Sequence, residues 1–333
     1  MMKIDSSLKQ LVKMLKRLIS FRQTGLLFAI VVLSFVVFLI NPKFLTFDNM
    51  RDILLDISVT AIAAVGVTIV ILASEIDISI GSQLAVGATI AALYVKSGGP
   101  TALAVLFSVL AGSLMGFVNG YLVYKTKVHS IIITLGTMTI LRGLNIKLMR
   151  GKWITDLPER FWLFGNIHVL GVPLPVWIMI VVVVVSAFLL RNTRFGREIY
   201  AVGDNRQTAM MSGSNVGRVK VLVFTICGAL VGLAAAIFEA RFGWVMSNMG
   251  QGFEFKAIGA AVIGGTSIFG GIGSPVGTFL GAILMGVIPN SMVLMRVPAT
   301  LERTILGLLI ILAVTLDTLL RFGIRRTRVV YKV

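Results

Sequence analysis

Charged residues are scarce in this chain. Only 14% of its 333 residues are Asp, Glu, Lys or Arg, whereas 57% are apolar, and the mean hydropathy is +0.95. A soluble domain has about 25% charged residues, so the composition excludes an ordinary soluble globular protein as well as a disordered or fibrous one. Because long apolar runs alternate with short polar stretches, we predict an all-α polytopic membrane protein.

Cysteine and histidine are nearly absent. The one cysteine, Cys227, lies in an apolar run, so an internal disulfide is impossible. His129 and His168 are far apart and have no Cys, His or carboxylate neighbours at metal-ligand spacing. No Walker A sequence occurs, since the Gly-Lys pair at residues 151–152 lacks the preceding glycine at the required spacing. We expect no metal site, no cofactor, no catalytic residue and no nucleotide hydrolysis by this chain.

Acidic residues are also few, 14 against 31 basic residues, which gives a net charge of +17. In a soluble protein this charge would suggest a nucleic-acid partner. The basic residues cluster without the aromatic interleaving that stacks on bases, which disfavours nucleic acid and is typical of cytoplasmic segments near anionic lipid. We predict cytoplasmic termini, with a basic N-terminal segment at 1–24, a transmembrane domain at 25–320 and a basic tail at 321–333.

About ten membrane-spanning helices are predicted from the apolar segments at 25–40, 53–73, 82–95, 102–124, 131–149, 173–190, 219–238, 255–268, 275–288 and 304–320. An even number returns the C-terminus to the side of the N-terminus. The segments 82–95, 255–268 and 275–288 have 14 residues each. As helices they reach roughly 21 Å, against about 30 Å for the hydrocarbon core. We therefore expect some helices to be short or broken.

Polar or glycine-rich sequences adjoin these short segments at 74–82 and 264–274. Interrupted helices indicate a transport site, although each sequence alone is equally consistent with an interfacial turn. Two carboxylates at 75 and 77 cost roughly 2.5 to 3.5 kcal/mol each inside a bilayer, so they should meet water, a partner or a cation. Arg142 is the candidate cation, unless it extends to the outer interface. The expected polar passage comprises Glu75, Asp77, Ser79, Gly81, Ser82, Arg142, Thr266 and Ser267.

The longest cytoplasmic loop, residues 191–220, is expected to contain a short helix. Asp204 or Asn205 can cap its N-terminus, and Gly213 can end it. Met210 and Met211 then offer adaptable apolar contacts, which suits docking in a groove of another protein. The alternative is a solvated basic loop.

Four sequences together resemble the permease subunits of the ribose, xylose, rhamnose and autoinducer-2 group of bacterial ATP-binding-cassette importers. The resemblance extends from about Leu45 to Leu320 and is closest in EIDISIGS from Glu75, TLGTMTILRGL from Thr134, GREIYAVGDNRQTAMMSG from Gly196, and AIGAAVIGGTSIFGGIGSPVGTFLGAIL from Ala257. GKWITDLPERF from Gly151 is similar to an outer loop of the rhamnose and autoinducer-2 permeases. The chain departs from the group at Glu75, where many members have glycine.

The resemblance implies a multi-pass protein of the bacterial plasma membrane that passes a monosaccharide or similar small polar solute. Its implied partners are a separate cytoplasmic ATPase, a second permease copy or sister permease, an extracytoplasmic sugar-binding protein and membrane lipid. The implied ATPase-coupling residues are Asp204, Asn205, Arg206, Ala209, Met210, Met211, Ser212 and Gly213. A self-sufficient ion-coupled secondary transporter is the alternative, supported by the broken helices and by the intramembrane carboxylates Glu75 and Asp77. A membrane enzyme is disfavoured because no nucleophile elbow or cluster of catalytic residues occurs.

Overall fold

The computed structural model describes residues 21–298 and 300–329. Thirteen α-helices occur in this part of the chain: α1 (Phe21–Ile40), α2 (Phe47–Leu72), α3 (Ile80–Lys96), α4 (Thr101–Thr126), α5 (Ser130–Met149), α6 (Glu159–Asn166), α7 (Leu174–Asn192), α8 (Arg194–Asp204), α9 (Arg206–Met211), α10 (Val216–Phe242), α11 (Phe253–Ile263), α12 (Pro275–Leu294) and α13 (Thr300–Val329). A 3-10 helix (Pro42–Leu45) precedes α2. Strands β1 (His168–Val169) and β2 (Val172–Pro173) pair antiparallel between α6 and α7. The predicted all-α membrane fold is confirmed.

Seven of the described helices are long and apolar enough to cross a membrane, namely α1, α2, α4, α5, α7, α10 and α12. Helices α3, α11 and α13 account for the other three predicted segments. The expectation of a short segment at 275–288 is wrong, because α12 continues through Pro289 to Leu294 and has 20 residues. The segment at 255–268 is shorter than expected, since α11 has 11 residues and gives way to a loop at Gly264.

Part of each chain end lies outside the described residues. Most of the predicted N-terminal segment at 1–24 falls there, as do residues 330–333 of the predicted tail. The last helix does not end at residue 320 as the apolar pattern suggested, because α13 continues to Val329.

Helices α2 and α10 form the centre of the molecule. In the most apolar stretch of each helix, 83% of the residues of α2 and 56% of those of α10 are buried. The corresponding shares are 17% for α1 and 11% for α5. A helix that is apolar around its whole circumference is stable either in a protein core or in lipid. The peripheral α1 and α5 therefore present apolar side chains such as Phe28, Phe35 and Ile140 to the bilayer.

Glycine permits the close packing of α4 against α10. A Cβ atom on Gly112 would overlap the carbonyl oxygen of Gly228, and one on Gly116 would overlap that of Phe224. On the other helix, a Cβ on Gly232 would overlap the carbonyl oxygen of Ser108. Small residues allow backbones to approach in membranes, where van der Waals packing rather than the hydrophobic effect holds helices together. This contact fixes α4 beside the central helix.

Candidate functional site

The chain between α2 and α3 is irregular, and side chains of α5 satisfy its backbone groups. Helix α2 ends where Ser74 adopts a left-handed φ of 62°. The N–H groups of Ile76 and Ile78 donate to Ser130 Oγ (3.0 Å) and Thr134 Oγ1 (3.2 Å). Non-helical backbone at membrane depth requires such partners because water is not there to supply them. The segment has the character of the broken-helix element predicted from the sequence.

The Asp77 carboxylate organises the start of α3. It is fully buried, and Oδ1 accepts from the Ser79 backbone N–H (2.9 Å) and hydroxyl (2.6 Å). Its Oδ2 accepts from Gln83 Nε2 at 2.9 Å. Asn119 of α4 completes the cluster by donating to Ser79 Oγ at 2.8 Å. A buried carboxylate is tolerated when donors replace its lost hydration, so Asp77 needs no cation here.

Glu75 pairs with Lys220, a residue near the start of α10. The two side chains are 9% and 8% exposed, and Lys220 Nζ contacts Glu75 Oε1. The expectation that Arg142 is the cation for the carboxylates at 75 and 77 is therefore wrong. Lys220 belongs to the basic cluster that the sequence placed in a cytoplasmic loop, and the fold turns it inward.

Arg142 is instead bound to Glu254 of α11 and to Ser82 of α3. Its Nη2 lies 3.4 Å from Glu254 Oε1, and its Nε donates to Ser82 Oγ at 3.3 Å. Glu254 is only 4% exposed. The arginine thus joins two short helices that are far apart in the chain.

The start of α3 meets the turn that precedes α11, and we call this contact the helix crossing. A Cβ atom on Gly81 would overlap the carbonyl oxygen of Gly250 and Oε2 of Glu254. Gly250 has a positive φ of 76°, and a Cβ there would overlap the carbonyl oxygen of Gly81. Only glycine permits this backbone contact. The crossing brings Gly81, Ser82 and Arg142, three of the predicted passage residues, to one place.

A cavity of about 820 Å³ lies beside the crossing. Arg142, Gln251, Glu254, Lys256, Glu302 and Arg303 supply its polar lining, and Lys256 pairs with Glu302 at 2.7 Å. Leu84, Phe238, Phe253, Phe255, Leu306 and Ile310 supply apolar surface. The cavity has the size and mixed lining of a small-molecule site.

Thr266 and Ser267 do not line this cavity. Both are 1% exposed within the glycine-rich loop that joins α11 to α12. Ser267 Oγ donates to Asp317 Oδ2 of α13 at 2.9 Å. The structure therefore separates these two residues from the three at the helix crossing.

The glycine-rich loop packs against α8 and the end of α2. Gly271 N–H donates to the Leu72 carbonyl at 3.1 Å, and Tyr200 hydroxyl donates to the Gly273 carbonyl at 2.9 Å. Burial raises the pKa of Tyr200, which keeps its hydroxyl neutral and able to donate. A Cβ on Gly203 would overlap the Leu72 carbonyl oxygen. Helix α8 is therefore in direct backbone contact with the end of α2.

The predicted cytoplasmic loop at 191–220 contains two helices, α8 and α9, and the expected short helix within the coupling residues 204–213 is α9. Asn205 caps α9, because its side chain accepts from the Thr208 N–H at 3.1 Å. Asp204 is not the cap and instead ends α8. Gly213 follows α9 with a left-handed φ of 81°. Met210 and Met211 are 56% and 90% exposed, so the chain presents both methionine side chains outward.

The sequence did not single out Gln83, Asn119, Lys220 or Glu254 as site residues. A signal existed for the first two, since an amide side chain inside an apolar helix needs a buried partner. Nothing local indicated which carboxylate would meet Lys220 or which cation would meet Glu254.

Interrupted helices, a buried polar cluster and a partly polar cavity define a polytopic membrane permease. The chain belongs to the family described as branched-chain amino acid transport system / permease component, whose sequence profile matches residues 49–314. It is thus a permease subunit of an ATP-binding-cassette importer and a multi-pass protein of the inner membrane, as its motifs predicted.

Relatives of this chain are named for two kinds of import. It is 40% identical to the ribose import permease protein RbsC of Haemophilus influenzae, over 88% of this chain and 92% of that protein. It is 39% identical to RbsC of Escherichia coli, over 87% and 92%. It is 33% identical to the autoinducer 2 import system permease protein LsrC of Yersinia pseudotuberculosis, over 94% and 89%. No solved structure matches the chain.

Proposed function

We propose that this permease imports a neutral sugar or a similar small polar solute, of the ribose or autoinducer-2 kind named for its relatives. The observation that carries this proposal is the helix crossing at Gly81 and Gly250, beside a cavity of about 820 Å³. Interrupted helices are where transporters place their solute. Uptake needs no catalytic group in the permease, because the passage only has to hold hydroxyl groups weakly and release them.

The passage contains Gly81, Ser82 and Arg142 at the crossing. Asp77 and Ser79 do not line it but hold the start of α3 in place. The hydrogen bonds from Ser79 and Gln83 to Asp77 support this division of roles. Glu75 is proposed to connect the passage to α10 through Lys220. The segment 74–82 thus borders the solute route and also fixes the positions of the helices around it.

Coupling to a separate cytoplasmic ATPase is proposed for residues 204–213. The exposed Met210 and Met211 provide an adaptable apolar surface for docking. Movement of α8 would be transmitted through Tyr200 and Gly203 to the glycine-rich loop and to the end of α2. Thr266 and Ser267 belong to this connection in our proposal rather than to the cavity lining.

The remaining partners are a second permease copy or a sister permease, and an extracytoplasmic sugar-binding protein that selects the solute. Both termini are proposed to be cytoplasmic. The alternative of an ion-coupled secondary transporter rested on the broken helices and on Glu75 and Asp77. Both carboxylates already bind protein groups, which favours a structural role for them over ion binding.

The test is uptake by proteoliposomes that contain the permease, its co-purifying ATPase and its binding protein. We expect D-ribose or autoinducer-2 to accumulate only with ATP inside the compartment that holds the ATPase, and ionophores to leave the rate unchanged. Accumulation that needs no ATPase and collapses with an ionophore would establish the secondary-transporter alternative. A matched control with an ATPase variant that cannot hydrolyse ATP separates nucleotide binding from turnover.

A further inference from the structure

The cavity beside the helix crossing combines a carboxylate, a guanidinium and aromatic rings. Glu254 and Arg142 face it from α11 and α5, while Phe238, Phe253 and Phe255 give it apolar surface. Small-molecule sites have this composition, in which apolar walls provide contact area and a few polar groups fix orientation. Its volume of about 820 Å³ leaves room for a five- or six-carbon solute.

Glu254 has unused hydrogen-bonding capacity. The residue is 4% exposed, and among the described residues no donor reaches its Oε2. A carboxylate has about four acceptor positions, and a buried oxygen without a donor is costly. The terminal torsion of a glutamate is broad, so the carboxyl group can turn either oxygen toward the cavity. The absent side chain at Gly81 leaves the space that the second oxygen occupies.

Within the described part of the chain, Arg142 uses only some of its hydrogen-bond donors. A guanidinium has five N–H groups, and the bonds described here use one on Nε toward Ser82 and one on Nη2 toward Glu254. The Arg142 side chain is 36% exposed, so a solute in the cavity can reach the remaining donors. The pair thus offers acceptors and donors side by side, with opposite charges that balance.

We propose that Glu254 and Arg142 form a solute subsite that binds the vicinal hydroxyl groups of a neutral polyol. One of two adjacent hydroxyl groups donates to a Glu254 carboxylate oxygen, and the Arg142 guanidinium donates to the oxygen of the other hydroxyl. Because the two charges neutralise each other, the Glu254–Arg142 pair itself has no net charge, which suits a neutral solute. This inference rests on the proposed function and names the residue, Glu254, that sets the solute class.

The test is protection of a single thiol in the full-length permease with its ATPase, reconstituted in liposomes without the binding protein. Cys227→Ala removes the native thiol, and Gln251→Cys places a new one in an exposed position on the cavity wall. Ser97→Cys, exposed but outside the cavity lining, is the matched control. The measurement is the rate of labelling by a small water-soluble thiol reagent at rising solute concentration.

We expect D-ribose to slow labelling at position 251 and not at position 97. Tetrahydrofurfuryl alcohol, which has the ring but no vicinal diol, and L-leucine should give no protection. Adding Glu254→Gln should raise the half-protecting ribose concentration about ten- to hundredfold, because a hydrogen bond to a charged group is lost. A monodisperse elution profile shows that the Glu254→Gln variant is folded. The comparison of the three solutes does not depend on this variant, because it is made with Glu254 intact.

Three results would overturn the subsite: no protection by ribose, equal protection by either control solute, or unchanged protection in Glu254→Gln. Each is independent of uptake. ATP-driven ribose uptake with an unprotected thiol would refute the subsite and leave the proposed function standing. Protection by leucine alone would reject the polyol class for this cavity.

Discussion

The buried pair between Glu75 and Lys220 provides the sharpest stability prediction. Both side chains are at least 90% buried, at 9% and 8% exposure. Lys220→Met keeps the length and apolar stem of the side chain but removes its charge. The Glu75 carboxylate is then left in a low-dielectric site with its cation gone.

The expected loss is about 3 to 5 kcal/mol of unfolding free energy, which is the usual result of removing one partner from a buried pair. The double variant Glu75→Gln with Lys220→Met should recover most of this loss, because it leaves no unpaired charge. The matched control is Arg194→Met. Arg194 pairs with Glu198 at 2.9 Å, so this is also a pair between a basic side chain and a glutamate, but the arginine is 83% exposed. Its removal should lower the unfolding free energy by only about 0.3 to 0.5 kcal/mol.

The assay is the temperature at which half of the detergent-purified permease is lost from its monodisperse elution peak. With roughly 2 to 4 °C per kcal/mol for a large domain, Lys220→Met should lower this temperature by roughly 6 to 20 °C. Arg194→Met should lower it by less than about 2 °C. If the two single variants shift it equally, or if the double variant is no more stable than Lys220→Met, the buried pair does not carry the stability argued here.

Four further outcomes are expected. Replacing Met210 and Met211 together with Asp should leave membrane insertion intact but separate ATP hydrolysis from uptake, and full transport would contradict docking at α9. Asp77→Asn should retain the fold yet lower the uptake rate about ten- to hundredfold, since the new amide opposes a donor from α3 and costs about 1.5 to 3 kcal/mol; normal uptake would remove this carboxylate from the mechanism. Gly112→Ala should cost about 1 to 3 kcal/mol by overpacking α4 against α10, whereas Gly136→Ala, with open space around it, should be neutral in the same elution assay. Alkaline phosphatase fused to either terminus should be inactive in cells, and activity at one end would show that a short segment does not cross as predicted.

Local signals in the sequence were sufficient for the class of fold and for many helix boundaries. The apolar run at 53–73 became α2, which ends at Leu72, and the run at 131–149 became α5. Asn205 was one of two candidate caps for the coupling helix, and Gly213 was its expected stop; both lie where a helix N-terminus and a left-handed turn require them. Such features depend on a few neighbouring residues, so they can be recognised from the sequence alone.

Partners in space could not be assigned in the same way. Arg142 and Glu254 are 112 positions apart, and the sequence pattern pointed to the nearer carboxylates Glu75 and Asp77 as partners of the arginine. The short segment at 275–288 was misjudged for a related reason, since a polar stretch with Pro289 continues the helix when tertiary packing supports it.

The sequence by itself determined that this is a helical membrane protein, because the length of its apolar runs and the distribution of its charges reflect the bilayer directly, and its resemblance to importer permeases indicated the functional class. The tertiary structure alone decided that the helix crossing forms at Gly81 and Gly250, that Lys220 neutralises Glu75, and that Thr266 and Ser267 lie away from the cavity. The physical reason is that ion pairs and backbone crossings depend on three-dimensional distance, and distance between helices is set by side-chain packing along the whole chain.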